Sequence, residues 1–314
     1  MFFHAQSLIN PIVEDEPDPS AANALQEGLG GQFGEMRTMM QYLFQSFNFR
    51  GDGKPYRDLI QSIAVEEISH VELISTTISK LLDGAPGYKG GKFDVPGKDG
   101  MATMNMAKEQ QNPHHFIVGA QGALPVDAAG NPWSGSYVHC NGNLVLDLLD
   151  NLVLESTGRL QKCRIYQMSE NKTLRATVAF LIARDEAHEM AFAKALERLG
   201  VQWNTLLPIP KFDSSQYPEV KELIDAGINR EQYHFRLDGS EMGKIFSGSA
   251  PANDGSELIT LAEPKNKFPI PDAPARPEEF SPGLDPEMDA LVHALKEAKE
   301  KIKSGGGRKG HTKK

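Results

Sequence analysis

The sequence is short of cysteine, of basic charge and of long apolar runs, and each shortage removes a class of protein. Cys140 and Cys163 are its two cysteines, too few for a disulfide scaffold or a four-cysteine zinc site, and both read as free thiols of a reducing compartment. Lys and Arg number 33 against 42 Asp and Glu, a formal net charge of −9. Because phosphate contacts need a basic face, nucleic acid is not an expected partner. No apolar run nears the roughly 20 residues that cross a bilayer. The stretch from Leu144 to Leu154 is cut by Asp147 and Asp150, so no membrane partner is expected. Met1-Phe2-Phe3-His4-Ala5-Gln6 has neither a basic stretch nor an apolar core, so it does not read as a secretory signal, and the expected location is the cytoplasm.

What is present is helical periodicity. The chain has 314 residues, 39% of them hydrophobic, ample for a sizeable core. Residues 1–19 form a Pro- and acid-rich lead-in to Ser20, a good helix N-cap. A first helix is predicted from there to about Phe49, although Gly30, Gly31 and Gly34 cluster within it and point to close approach of another backbone. A second helix is predicted from about Pro55 to Leu82, a third from about Asn143 to Ser169, and a fourth from about Lys172 to Leu199, closed by Gly200. Residues 84–141, rich in Gly, Pro and Asn, read as a long crossover with a short helix near Asn112–Ile117.

The expected fold is therefore all-α. Residues 1–200 form a four-helix bundle with a long crossover between helices 2 and 3, and residues 201–314 form an extended, irregular C-terminal arm. That arm carries Leu207-Pro208-Ile209-Pro210, Phe268-Pro269-Ile270-Pro271 and an amphipathic segment at Asp285–Lys303, then a basic tail over residues 304–314 that reads as disordered. Such an arm more naturally wraps the subunits of a homo-oligomer than forms a second core.

The chemistry lies on the helices. Glu67 and His70 stand three apart, hence side by side on one helical face, within an apolar stripe of Ile60, Ile63, Ala64, Val71, Ile74 and Ile78. On the first helix Glu35 shares a face with Gly31, Met39 and Tyr42; on the third, Glu155 shares one with Leu144, Leu148 and Leu152. On the fourth, His188 lies on the stripe of Leu181, Phe192 and Ala195, with Asp185 three residues before it. One Glu-x-x-His is usually a solvated surface pair. Acids and imidazoles aimed inward from four helices, however, ask for a cation, because a buried charge is costly unless it is paired or coordinates a metal. Glu35 precedes Glu67 by 32 residues and Glu155 precedes Asp185 by 30, with a His three residues after each second acid. This doubled arrangement is the pattern of a dinuclear carboxylate site in a ferritin-like four-helix bundle.

Leu29-Gly30-Gly31-Gln32-Phe33-Gly34-Glu35, Glu66-Glu67-Ile68-Ser69-His70-Val71-Glu72, Gly142-Asn143-Leu144-Val145, Asn151-Leu152-Val153-Leu154-Glu155 and Arg184-Asp185-Glu186-Ala187-His188 resemble the manganese catalases, non-haem enzymes that dismutate hydrogen peroxide. The resemblance spans roughly residues 1–240. It implies two manganese ions per subunit, with Glu35 and His70 on one, Glu155 and His188 on the other, and Glu67 bridging both. It also implies outer roles for Tyr42, Lys162 and Asp185, and assembly as a homohexamer. Some members carry Arg directly before the third-helix Glu and Glu three residues before the fourth-helix His, where this chain has Leu154 and Asp185. Being one methylene shorter, Asp185 is expected to act from outside the metal's ligand set. A calcium site of part of the family is matched at Asp58, while Ser62 stands where a second acid is expected.

Other roles for these residues stay open on sequence alone. Asp185 also reads as a salt-bridge partner, Lys162 as a side chain reaching the surface, and Tyr42 as a core aromatic. Glu66 and Glu186, one position off the ligand faces, read as surface acids. His114 and His115 read as solvent or subunit contacts. Three rival readings share the bundle, one of them a structural interaction protein with a relic site, which would assemble without metal. A di-iron peroxidase or oxidase would need iron and reductase coupling or a rubredoxin-like cysteine cluster, and two cysteines exclude the cluster. Iron storage in a ferritin-like shell suits the long irregular arm poorly.

Overall fold

The structure, a computed structural model, describes residues 3–83, 88–89, 92–93, 112–119, 121–210, 212–246, 257–272 and 286–305. Helix α1 (Pro19–Gly30) starts two residues earlier than a Ser20 cap implies: Asp18 is the cap, its carboxylate accepting from the Ala21 N–H at 2.9 Å, and Pro19 takes the first helical turn. The single first helix expected to Phe49 is in fact two. It breaks at Gly31–Gly34, and α2 (Glu35–Ser46) starts afresh. The reason is the close approach that the glycines imply. A β-carbon on Gly30 would lie 2.1 Å from the carbonyl oxygen of Val126 in the crossover, and one on Gly34 would lie 2.7 Å from the carbonyl oxygens of Gly28 and Leu29.

Helix α3 (Lys54–Leu82) has Pro55 in its first turn, as expected. The crossover holds β1 (Tyr88–Lys89) antiparallel to β2 (Lys92–Phe93), and α4 (Pro113–Ile117). It is tied to α1 by the buried Gln26, whose Nε2 donates to the carbonyls of Leu124 and Val126 at 2.6 Å each. Helices α5 (Leu144–Gln167) and α6 (Lys172–Arg198) are capped by Asn143 and Asn171, which accept from the N–H groups of Leu146 and Leu174. They pack along each other as α2 packs along α3, giving the four-helix core.

That core is split into two apolar clusters. Leu73, Ile74, Ile78, Val178, Leu181 and Ile182 belong to one; Ile60, Ile63, Leu148, Leu152, Phe192 and Ala195 belong to the other. On α3 the sequence between the clusters is Glu66–His70, and on α6 it is Arg184–His188. A polar layer thus lies between the two apolar clusters, across the middle of the bundle.

The arm differs from expectation. It holds α7 (Trp203–Leu206), α8 (Pro218–Asp225), β3 (Glu231–Tyr233) paired parallel with β4 (Ile259–Leu261), and α9 (Pro286–Gly305). Val220 and Tyr233 join the first cluster, and Met242, Ile245 and Phe246 the second. The segment after the bundle therefore buries part of its apolar surface on its own chain, while Leu206, Leu237, Ile259, Leu291 and Leu295 remain exposed. Leu8 and Phe268 exchange backbone hydrogen bonds of 2.8 and 3.0 Å, tying the lead-in to the arm. Ser304 and Gly305, expected in the disordered tail, belong to α9. The rest of that tail, residues 306–314, lies outside the described residues.

Candidate metal centre

The break at Gly31–Gly34 makes Glu35 the first residue of α2. There the positive end of the helix dipole favours its carboxylate, and Thr38 Oγ1 donates to Glu35 Oε2 at 3.3 Å. Glu67 and His70 come from α3, Glu155 and Lys162 from α5, Asp185 and His188 from α6, and Tyr42 from α2. None of these eight is more than 2% exposed.

Five of them make two overlapping triads. Glu35, Glu67 and His70 each offer one donor atom within 4.8 Å of the others, and so do Glu67, Glu155 and His188; Glu67 belongs to both. His70 Nδ1 lies 3.0 Å from Glu67 Oε2 and 3.7 Å from Glu35 Oε2, while His188 Nδ1 lies 3.0 Å from Glu67 Oε1 and 3.5 Å from Glu155 Oε1. The imidazole rings face each other 5.8 Å apart with an angle of 24° between their planes. Glu67 Oε1 and both ring nitrogens of His188 are buried yet make no hydrogen bond among the described residues. Buried polar atoms are normally satisfied, so atoms that converge without hydrogen-bond geometry fit a cation between them. Carboxylate and imidazole suit manganese and equally iron.

The comparisons decide between them. The family described as Manganese containing catalase matches residues 1–302. The chain belongs to the manganese catalase family. It is 42% identical over 208 residues to a manganese catalase of Bacillus subtilis, covering 66% of this chain and 74% of that one. It is 35% identical over 273 residues to a manganese catalase of Lactiplantibacillus plantarum, covering 86% and 95%. Among solved structures, wild-type KatB, a manganese catalase from Anabaena, superposes with a TM-score of 0.54 at 25% identity, over 84% of this chain and 100% of that one. The enzyme class is thus catalase, the cofactor is manganese, and the fold is the ferritin-like bundle.

Around the triads of this manganese catalase, Lys162 and Tyr42 are joined to their carboxylates, and Asp185 through Lys162. Lys162 Nζ lies 2.7 Å from Glu35 Oε1 and 2.7 Å from Asp185 Oδ2. It does not reach the surface, and burial, which opposes its charge, is outweighed by Asp185 and Glu35, which raise its pKa. Asp185 joins neither triad; it is the salt-bridge partner of Lys162. Burial, with Glu35 and Glu155 nearby, raises the Asp185 carboxyl well above the usual range despite Lys162. Burial works the same way on Glu35, but Lys162 and His70 outweigh it and hold that carboxyl low. Tyr42 Oη donates to Glu155 Oε1 at 2.6 Å, and its ring meets Phe192 edge-on at 5.2 Å.

Three residues are not where the sequence reading put them. Glu66, expected at the surface, is 1% exposed and receives Arg184 Nε and Nη2 at 2.5 and 3.1 Å. Its position carried a signal: Glu66 precedes His70 by four residues just as Arg184 precedes His188 by four. Glu186 is half-buried, accepting from Asn229 Nδ2 at 2.9 Å. His115 is buried against Gln26, its Nε2 3.0 Å from Gln26 Oε1, and burial lowers its pKa to about 4. His114 keeps its expected place in the crossover, with its N–H capped by Asn112. Asp58, the calcium candidate, is filled by protein donors. Arg236 Nη1 reaches Oδ1 at 3.0 Å, Arg57 Nη2 reaches Oδ1 at 3.3 Å, and the Glu241 N–H reaches Oδ2 at 3.0 Å. Ser62 Oγ donates to the Asp58 and His234 carbonyls, so it offers no acid in its place.

Proposed function

We propose that Glu35 and His70 hold one manganese ion, Glu155 and His188 the other, and Glu67 both, and that the centre disproportionates hydrogen peroxide to water and dioxygen. The observation that carries this reading is the sharing of Glu67 between two buried triads, in which Glu67 Oε1 and both His188 nitrogens lack hydrogen-bond partners among the described residues. When bound, the manganese pair supplies two-electron redox chemistry, which matches the two-electron change of each peroxide.

The chain's own residues supply the rest. The two apolar clusters on either side keep bulk water from the layer. Burial, with Glu35 and Glu155 nearby, inclines Asp185 to carry a proton against the pull of Lys162, so the Lys162–Asp185 pair can hold and return protons as the O–O bond breaks. Tyr42 orients Glu155 through its hydroxyl. We also propose that the bundle, residues 1–200, is the catalytic unit, that residues 201–314 support it, and that the chain works as a homohexamer in the cytoplasm. The test of the assignment is the manganese content of purified Glu67→Ala protein beside that of the parent. Loss of both ions with loss of oxygen release is expected, and retention of both would contradict it.

A further inference from the structure

Glu66 is the fifth carboxylate of the polar layer, and the ligand assignment gives it no task. Its two oxygens face two different rings. His70 Nε2 lies 3.4 Å from Oε1 and His188 Nε2 lies 3.3 Å from Oε2. These distances are just beyond the N–H···O range of about 2.7–3.2 Å, and no other group accepts from either nitrogen among the described residues. The carboxylate itself cannot swing away. Arg184 grips both oxygens, and the guanidinium is held in turn by the Ile228 carbonyl, 2.5 Å from Nη1, and by the Tyr233 ring 4.5 Å from its centre. Tyr233 Oη donates to Glu231 Oε2 at 2.6 Å, and Lys265 Nζ meets Glu231 Oε1 at 2.6 Å. A continuous line of contacts therefore runs from the arm, through Arg184 and Glu66, to both imidazoles.

We propose that Glu66 is a positioning residue common to both metal sites, its two oxygens accepting the Nε2 protons of His70 and His188 and so keeping both Nδ1 lone pairs turned to the manganese at once. The proposal rests on the ligand assignment above. An imidazole that binds metal through Nδ1 must carry its proton on Nε2, and the acceptor of that proton fixes the tautomer and the ring's orientation. Only an ionised carboxylate accepts on both oxygens. With one such group serving both rings, the two sites are prepared together and fill as a unit.

Glu66→Gln separates this role from simple space filling, because the amide has the same shape but offers one acceptor and one donor. Whichever way it turns, its NH2 faces one Nε2, demands a lone pair there and drives that ring's proton onto Nδ1, where it blocks ligation. The experiment strips and reloads parent, Glu66→Gln and Glu66→Asp proteins with manganese, then measures metal per chain and the electron paramagnetic resonance spectrum. The parent is expected to hold two ions as a coupled pair. Glu66→Gln is expected to hold one tightly, with the second weakened about 10–100-fold and the signal of an isolated manganese ion in place of the coupled one. Glu66→Asp, which keeps both acceptors, is expected to hold two. Two ions in Glu66→Gln at parental affinity, with the coupled spectrum, would overturn the proposal alone. No manganese in the parent would overturn the ligand assignment and the proposal with it. Should circular dichroism find Glu66→Gln unfolded, the parent loaded with diamagnetic zinc and labelled with 15N-histidine decides. Nε2 protons on both rings, protected from exchange, are expected; a proton on either Nδ1 would overturn it.

Discussion

Lys162 Nζ stands 2.7 Å from Asp185 Oδ2 and 3.0 Å from Oδ1, a buried ion pair joining α5 to α6 beside the triads. Asp185 joins neither triad, so Asp185→Asn is expected to keep two manganese ions per chain while turnover falls by about 10²-fold, the lower end for a lost proton-transfer group. Metal analysis beside oxygen evolution checks both halves. Loss of metal in Asp185→Asn would make Asp185 a ligand instead.

Removing the cation has a different cost. Lys162→Met leaves Glu35 and Asp185 buried without their common partner, and breaking a buried pair from one side costs about 3–5 kcal/mol. Chemical unfolding of the variant is expected to show a loss of that order. A loss below about 1 kcal/mol, the value of an exposed pair, would mean that Lys162 finds water.

Tyr42 Oη is the only group donating a hydrogen bond to Glu155 among the described residues. Tyr42→Phe keeps the ring against Phe192 and removes that bond, so stability is expected to fall by about 1.5–3 kcal/mol with manganese content unchanged. Parallel unfolding curves and metal assays test this; a drop to one ion per chain would contradict it.

The long helices and the five triad residues were legible because the information is local. A carboxylate and an imidazole three residues apart inside an apolar stripe can point only inward, whatever surrounds them. Glu66 was not legible in this way. It sits one position off that stripe, and what buries it is Arg184, 118 residues further along the chain. The same holds for His115, buried by Gln26 from 89 residues away. The glycines of the first helix did announce a close backbone approach, but not that it would break the helix and so set Glu35 at a helix N-terminus. The arm's docking on its own bundle depends on scattered residues such as Val220, Tyr233 and Met242, with no periodicity to reveal a shared face.

The crossover's seat at Gly30 gives a stability test remote from the metal. A β-carbon there would lie 2.1 Å from the Val126 carbonyl oxygen, so Gly30→Ala must push the crossover away and disturb the Gln26 hydrogen bonds. A loss of about 1–3 kcal/mol is expected in unfolding experiments. Gly51→Ala meets no neighbour, although its φ of +55° carries some strain, and is expected to cost less. Equal losses would contradict the packing argument.

Acidity sets a further expectation for the protein stripped of manganese. Burial opposes charge on His70, but Glu67, Glu35 and Glu66 outweigh it; Glu66 and Glu155 do the same for His188, so both imidazoles have raised pKa values. A raised folded value gives stability that is complete below the unfolded value, about 6.5 for His, and is lost as pH rises through the folded one. Thermal unfolding of chelator-treated protein is therefore expected to show declining stability above about pH 6.5. Manganese displaces the same protons, so its affinity should rise over that range. Stability of the stripped protein that climbs with pH would contradict the assignment of these shifts.

One carboxylate, Glu67, belongs to both triads and so to both proposed manganese sites. The most direct test of this sharing is manganese per chain in purified Glu67→Ala and parent proteins, with oxygen release from hydrogen peroxide measured on the same samples. Two ions and oxygen release are expected in the parent, and loss of both ions and of oxygen release in the variant. A Glu67→Ala protein that keeps two manganese ions and parental oxygen evolution would contradict the sharing.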